Sequence, residues 1–252
     1  AAAESLLPVP VVLLVAAIGW QGAWAVAAAV LALVVAPLLL WLMASDRVPA
    51  GGITGQSSTG LGDRHWSRRD VLGHWLFPAI LPVMLTTPFL GTVIFFHQVH
   101  IAETKGWALT AMAQGYPLFA GTTVAATLLT GMAADRFGPG GLMPLLTLPL
   151  GVALVVLSLA DTTAGWLLAL VLYGLTQGIA NGLWGVFLPW VYGTRHLGAV
   201  RALASAIMVV STAVGPALSG ILIDAGFDFA AQAMIFAAWC LMLGPWALAV
   251  RR

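Results

Sequence analysis

The chain has 252 residues, 61% of them hydrophobic and only 8% charged, with a formal net charge of +1 and a mean hydropathy of +0.99. A soluble domain carries about 25% charged residues, so this composition excludes an ordinary water-soluble fold and makes the lipid bilayer the chain's first partner. The small net charge gives no footing for nucleic acid, and a single cysteine, Cys240, excludes an intrachain disulfide or a cysteine-rich metal cluster.

Apolar runs punctuated by Gly, Pro and charge predict an all-α fold, a polytopic membrane helix bundle of about eight transmembrane helices. The spans fall at residues 5–19, 23–43, 72–99, 108–133, 141–160, 164–192, 199–223 and 229–250. Most are about 20 residues long, enough to cross roughly 30 Å of hydrocarbon, whereas barrel strands would be half that length and would alternate. The opening residues lack the basic stretch of a signal peptide, and Glu4 has the wrong charge for one. With no initiator Met and an apolar run that starts almost at once, part of the chain is expected to precede Ala1.

The first two spans are joined by Gly19-Trp20-Gln21-Gly22. After them comes the one long linker, residues 44–71, whose Gly/Ser/Thr-rich first part is expected to be flexible. Its end, Arg64-His65-Trp66-Ser67-Arg68-Arg69-Asp70, reads either as a short helix on the headgroups with Trp66 dipping into lipid, or as a solvated tether. The third span carries Pro78, Pro82 and Pro88, which should kink it, and a polar stripe of Thr86, His97 and His100 with Gln98 alongside. The fourth places Tyr116, Thr123 and Thr127 on one stripe and runs into Gly131-Met132-Ala133-Ala134-Asp135-Arg136-Phe137-Gly138, an acid/base pair in a very short connection. On the sixth span Gln177, Asn181 and Trp184 share one face, suited to a ligand, while Gly174, Gly178 and Gly182 share another, suited to helix packing.

Alternating the loops across the membrane puts Arg47, Arg64, Arg68, Arg69, Arg136, Arg195, Arg201, Arg251 and Arg252 on one side and only Lys105 on the other. The positive-inside rule makes the first side cytoplasmic, and a cell inner membrane is the expected location. Spans one and two also resemble seven and eight in the spacing of a turn glycine and a later proline, Gly19 to Pro37 and Gly226 to Pro245. This parallel repeat divides the chain into residues 1–43, the last two helices of one half, the cytoplasmic linker 44–71, and residues 72–252, a complete six-helix half.

The motif Gly131-x-x-x-Asp135-Arg136-x-Gly138 resembles the signature turn of the major facilitator superfamily of secondary transporters, without its usual basic tail. The stretch Gly198-Ala199-Val200-Arg201-Ala202, running into Gly215-Pro216 and Asp224, resembles the monocarboxylate-porter-like branch. The resemblance implies a partial major-facilitator fold, helices five to twelve, N-terminally truncated and partnered by the missing N-terminal half of the same chain. Asp135 is expected to accept from open N–H groups at the start of the fifth span, with Gly131 and Gly138 permitting close approach. Pseudo-symmetry sets Glu4 as the partner of this motif, and Arg201 opposite its counterpart in the missing half.

The function this implies is secondary transport of a small solute, an organic anion such as a monocarboxylate, by alternating access, with no cofactor. Candidate substrate contacts are His97, Gln98, Tyr116, Gln177, Asn181 and Trp184, and His97 is also a candidate carrier of a coupling proton. No phosphate-binding loop supports an ATP-driven pump, and no paired deep acids or nucleophile elbow supports an enzyme. The alternative is a non-transporting receptor or scaffold on the same fold.

Overall fold

The computed structural model describes residues 8–44 and 57–250, which are helical with no strand among them. Seven helices among the described residues are long and apolar enough to cross a membrane. The chain divides into two compact units, residues 2–57 and Ser58–Arg252.

The first unit holds α1 (Pro8–Val30), a π-helical stretch (Leu31–Val35) and α2 (Ala36–Met43). The expected turn at residues 19–22 contracts to one residue: Gly19 takes φ 74° and ψ 167°, with helix on both sides. Gly226 also has positive φ (83°), but there the chain makes an open turn before the next helix, so the two halves of the proposed repeat differ locally. The π-helical stretch has a plain cause. Pro37 has no N–H for the carbonyl four residues back, and the ladder slips to a five-residue step, with Ala36 N–H donating to Leu31 O. Residues Ala17–Leu42 form a 26-residue apolar stretch, long enough to cross a membrane, with exposed large side chains that include Trp20, Trp24 and Trp41.

The second unit contains α3 (Arg68–Gly73), α4 (Leu76–Phe96), α5 (Gln98–Lys105), α6 (Leu109–Ala113), α7 (Gly115–Phe137), α8 (Pro139–Leu142), α9 (Leu148–Leu159), α10 (Thr163–Tyr192), α11 (Leu197–Asp224) and α12 (Phe229–Val250). The long helices pack chiefly as α7 on α10, α9 on α12 and on α10, and α4 on α11. Lipid tails are as apolar as leucine, so close approach of small residues, not hydrophobic burial, must hold such pairs. On α10 a Cβ at Gly174 would lie 2.1 Å from Thr122 Oγ1, at Gly178 2.5 Å from Thr123 O, and at Gly182 2.9 Å from the Thr130 side chain. At the α4/α11 crossing, a Cβ on Gly215 would lie 2.7 Å from Phe89 O. The α9/α12 pair is tied by Thr147 Oγ1 donating to Cys240 O (2.9 Å) and Ser158 Oγ to Ala230 O (2.8 Å).

Residues 58–71, the second part of the expected linker, pack with the helices that follow. Thr194 N–H donates to Ser58 O (3.0 Å), and Gly60 lies so close to the end of α10 that a Cβ would sit 2.4 Å from Val191 O. Trp66 is 9% exposed, donates to Leu61 O at 3.1 Å, and packs on His74 (4.4 Å between centroids) and Tyr192 (5.7 Å). It therefore dips into protein and not into lipid, because the aromatic end of α10 offers it a socket. Ser67 and Asp70 form a capping box at the start of α3. Hydrogen bonds from Ser67, then the nearby Arg64 and Arg69 guanidinium groups, hold the Asp70 carboxyl below its usual value. Burial, and secondarily Arg64, lowers the His74 imidazole below its ordinary value.

Candidate functional site

Along α10 each of the three packing glycines follows a polar residue: Tyr173 then Gly174, Gln177 then Gly178, Asn181 then Gly182. Successive helical residues point about 100° apart. Pressing the glycines into α7 therefore fixes the rotation of α10 and sets Tyr173, Gln177 and Asn181 in one row. Tyr173 Oη donates to Gln177 Oε1 (3.4 Å), and Gln177 Nε2 donates to Asn181 Oδ1 (3.3 Å). Glycine is required across the way too, since a Cβ at Gly91 of α4 would collide with the Tyr173 hydroxyl.

Aromatic rings extend this row. Phe119 stacks on Tyr173 with centroids 5.1 Å apart, Phe95 lies 5.6 Å from Tyr173, and Tyr116 stacks on Phe95 at 5.8 Å. Beyond them the Tyr116 hydroxyl donates to Gln98 Oε1. The result is one ribbon of neutral polar groups and ring faces, from Gln98 and Tyr116 through Tyr173 and Gln177 to Asn181. Among the described residues the amide nitrogens of Gln98 and Asn181 donate to nothing, and the buried Trp184 Nε1 has no partner. Trp184 lies three residues beyond Asn181 and meets Phe187 edge-on at 5.7 Å. Three nitrogens along the ribbon therefore lack an acceptor: two amides, with two N–H groups each, and the buried indole.

His97 stands apart from this ribbon. It marks the break between α4 and α5 (φ −93°, ψ 12°), is 9% exposed, and its Nε2 lies 3.2 Å from Pro216 O on α11. A carbonyl only accepts, so Nε2 carries the proton. The threonines of the polar stripes are also occupied: Thr123 and Thr127 donate to carbonyls four residues back (2.7 and 2.8 Å), as does Thr86 (2.7 Å). The sequence reading missed Tyr173, Phe95 and Phe119. Tyr173 was legible as the residue one turn before Gln177; the two phenylalanines carried no signal that separates them from lipid-facing rings.

At the signature turn α7 runs unbroken through Phe137, so Asp135 and Arg136 are still helical, and the connection shrinks to Gly138 at φ 74°. Asp135 is exposed and makes no hydrogen bond or ion pair among the described residues. The cap of α8 is Gly138 with no side-chain bond, and Pro139 at its first position offers no N–H. The expected capping by Asp135 is thus replaced by a glycine–proline junction. Gly138 is needed for its positive φ, whereas a Cβ at Gly131 would meet open space, so Gly131 serves no close approach within the described residues. Arg136 lies over the Phe137 ring at 5.4 Å. Phe137 and Gly138 border a cavity of about 320 Å³ shared with Trp75, Phe187 and Trp190. Glu4 lies outside the described residues.

Arg201 has a task within this unit. The Gly185 carbonyl on α10 would accept from residue 189, but Pro189 has no N–H. Arg201 Nη2 of α11 donates to that carbonyl at 2.8 Å, bridging the two helices at their basic ends.

No curated protein and no solved structure matches the chain. The family profile of the Major Facilitator Superfamily matches residues 5–205. This match spans well over half of the chain, and with seven membrane-length helices it shows that the chain belongs to the Major Facilitator Superfamily, a family of membrane transporters and not of enzymes.

Proposed function

We propose that this transporter carries a small organic anion, such as a monocarboxylate, by alternating access, with the ribbon on α5, α7 and α10 as one wall of its binding site. The observation that supports this reading is the pair of unpartnered amide nitrogens, Gln98 and Asn181, on a ribbon otherwise made of ring faces and mutually bonded polar groups. Carboxylate oxygens accept several hydrogen bonds, and broken or polar helix faces are where transporters of this kind hold substrate. Tyr116 and Gln177 orient the two amides. In this reading residues 72–252 form one half of the transporter and residues 1–43 belong to the other, in an inner membrane with the basic loops cytoplasmic.

The turn Gly131–Gly138, with Asp135 and Arg136, acts at the cytoplasmic gate with Glu4 as its partner, and Arg201 holds α10 to α11 on the same side. A proton gradient supplies the energy, with His97, hydrogen-bonded across to α11, as the carrier of the coupling proton. The test is uptake of labelled three- and four-carbon monocarboxylates into proteoliposomes containing the full polypeptide, with and without an imposed proton gradient. Asn181→Leu and Gln98→Leu should each reduce uptake at least tenfold at unchanged helical content. Uptake that is indifferent to both changes would sink the assignment of this wall, and tight binding without uptake would favour a receptor.

A further inference from the structure

A groove between α4, α11 and α12 belongs neither to the polar ribbon nor to the signature turn. Its volume is about 640 Å³, within the range of ligand sites, and Leu85, Phe89, Ile207, Val214, Phe236 and Trp239 supply much of its wall. The two hydroxyls that reach it are committed. Thr86 Oγ1 donates to Pro82 O at 2.7 Å and accepts from Trp239 Nε1 at 3.1 Å, while Ser211 Oγ donates to Met208 O at 2.8 Å. A polar solute entering here would be stripped of water and offered nothing in exchange.

Depth narrows the occupant further. The α4 side of the groove runs from Pro78, in the first turn, to Leu90, ~18 Å at 1.5 Å per residue. The hydrocarbon core is roughly 30 Å thick, so the groove spans one leaflet, from the surface on the basic side to about the midplane. Beside its mouth, α3 packs against both α4 and α11 and carries Arg68 and Arg69, both exposed. The neighbouring carboxylate, Asp70, is already taken by Ser67 and Arg64. Neither Arg68 nor Arg69 makes a hydrogen bond or ion pair among the described residues. Trp75 is exposed at the same level and Trp246 donates to Ala79 O at 2.8 Å, the interfacial position that indoles favour.

We propose that this groove binds an acyl chain of an anionic phospholipid from the leaflet on the basic side, with Arg68 and Arg69 holding its headgroup. The apolar walls take the chain and the two free guanidinium groups select the charge. Trp239 reports on the site, because its indole forms part of the wall. The purified full polypeptide in detergent is titrated with phospholipid brominated on its acyl chains, either phosphatidylglycerol or phosphatidylcholine. The Trp239 signal is taken as the difference between the unsubstituted chain and Trp239→Phe.

Quenching of Trp239 should saturate at a lower concentration of the anionic lipid. Arg68→Gln and Arg69→Gln should each weaken that lipid about fivefold and leave the zwitterionic one unchanged. Neither arginine side chain takes part in the capping box of α3, so both variants keep the fold. Equal quenching by the two lipids, or an anionic preference untouched by the arginine changes, would overturn the proposal by reducing the groove to ordinary lipid contact. No quenching by either lipid would overturn it by showing the groove closed to lipid.

Discussion

Gly178→Ala against Gly185→Ala separates close packing from helix propensity on one helix. A Cβ at Gly178 would lie 2.5 Å from both Ala126 Cβ and Thr123 O and 2.9 Å from Thr127 N. Two of these atoms belong to the α7 backbone and cannot swing aside. Ordinary contact begins near 3.4 Å, so α7 and α10 must part by roughly 1 Å, a gap that forfeits a quarter to a half of the dispersion attraction across the interface. Overpacking of this kind costs about 1–3 kcal/mol. At Gly185 the added Cβ meets nothing within 4 Å, and the substitution yields only the helix-propensity gain of about 0.8–1.0 kcal/mol. Because that gain is common to both variants it cancels in the comparison, and Gly178→Ala should be the less stable by about 1–3 kcal/mol. Reversible unfolding in mixed detergent and dodecyl sulfate micelles, followed by far-UV ellipticity, measures the difference. Equal stability of the two variants would refute the glycine contact as the determinant of the α7/α10 pair, and with it the reason for the orientation of the ribbon.

Arg201→Met should cost about 0.5–1.5 kcal/mol, the net worth of one hydrogen bond, in the same unfolding assay. In a Pro189→Ala background the restored N–H satisfies the Gly185 carbonyl, so the cost of Arg201→Met should shrink toward zero; an unchanged cost would show that Arg201 acts elsewhere. Burial lowers the His74 value from 6.5, so the docked segment 58–74 prefers the neutral ring. That stability is complete above pH 6.5 and is lost as pH falls through the lowered folded value, and the protection of the Thr194 amide, its exchange rate relative to that of an unfolded peptide at the same pH, should fall over that window. Asp70, also lowered, keeps its contribution above 3.8 and loses it as pH falls through its own folded value. Loss of protection seen only below pH 3.8 would assign the effect to Asp70 and not to His74.

Whatever depends on one helix in lipid was legible in the sequence. Apolar length located the membrane helices, and the spacing of Gly174, Gly178 and Gly182 identified the packing face of α10 because a helix has a fixed period. What depends on a second element was not. The socket for Trp66 is built by His74 and Tyr192, more than a hundred residues apart in sequence, and no local pattern distinguishes an indole docked on protein from one resting in headgroups. Capping by Asp135 was a reasonable expectation for an acid near a helix start, but it required α7 to end sooner than it does. His97 and Gln98 are adjacent in sequence, yet the break between α4 and α5 directs one to Pro216 and the other to Tyr116.

The several features of α10 constrain how the unit can move. Its glycine face is locked to α7 at three successive turns, and its polar face is wired to itself from Tyr173 to Asn181. A displacement of the ribbon must therefore carry α7 and α10 together, because sliding one along the other would drive Thr123 and Thr127 carbonyls into positions that have no spare space. The pair can yield only where its hydrogen-bond ladder is already open, and on α10 that place is the turn from Gly185 to Pro189. The guanidinium of Arg201 closes that opening from α11. A force applied to the ribbon is thus carried along ~16 Å of helix, the rise from Tyr173 to Trp184, to the turn where the ladder of α10 is open, beside the one side chain of α11 that hydrogen-bonds to it among the described residues.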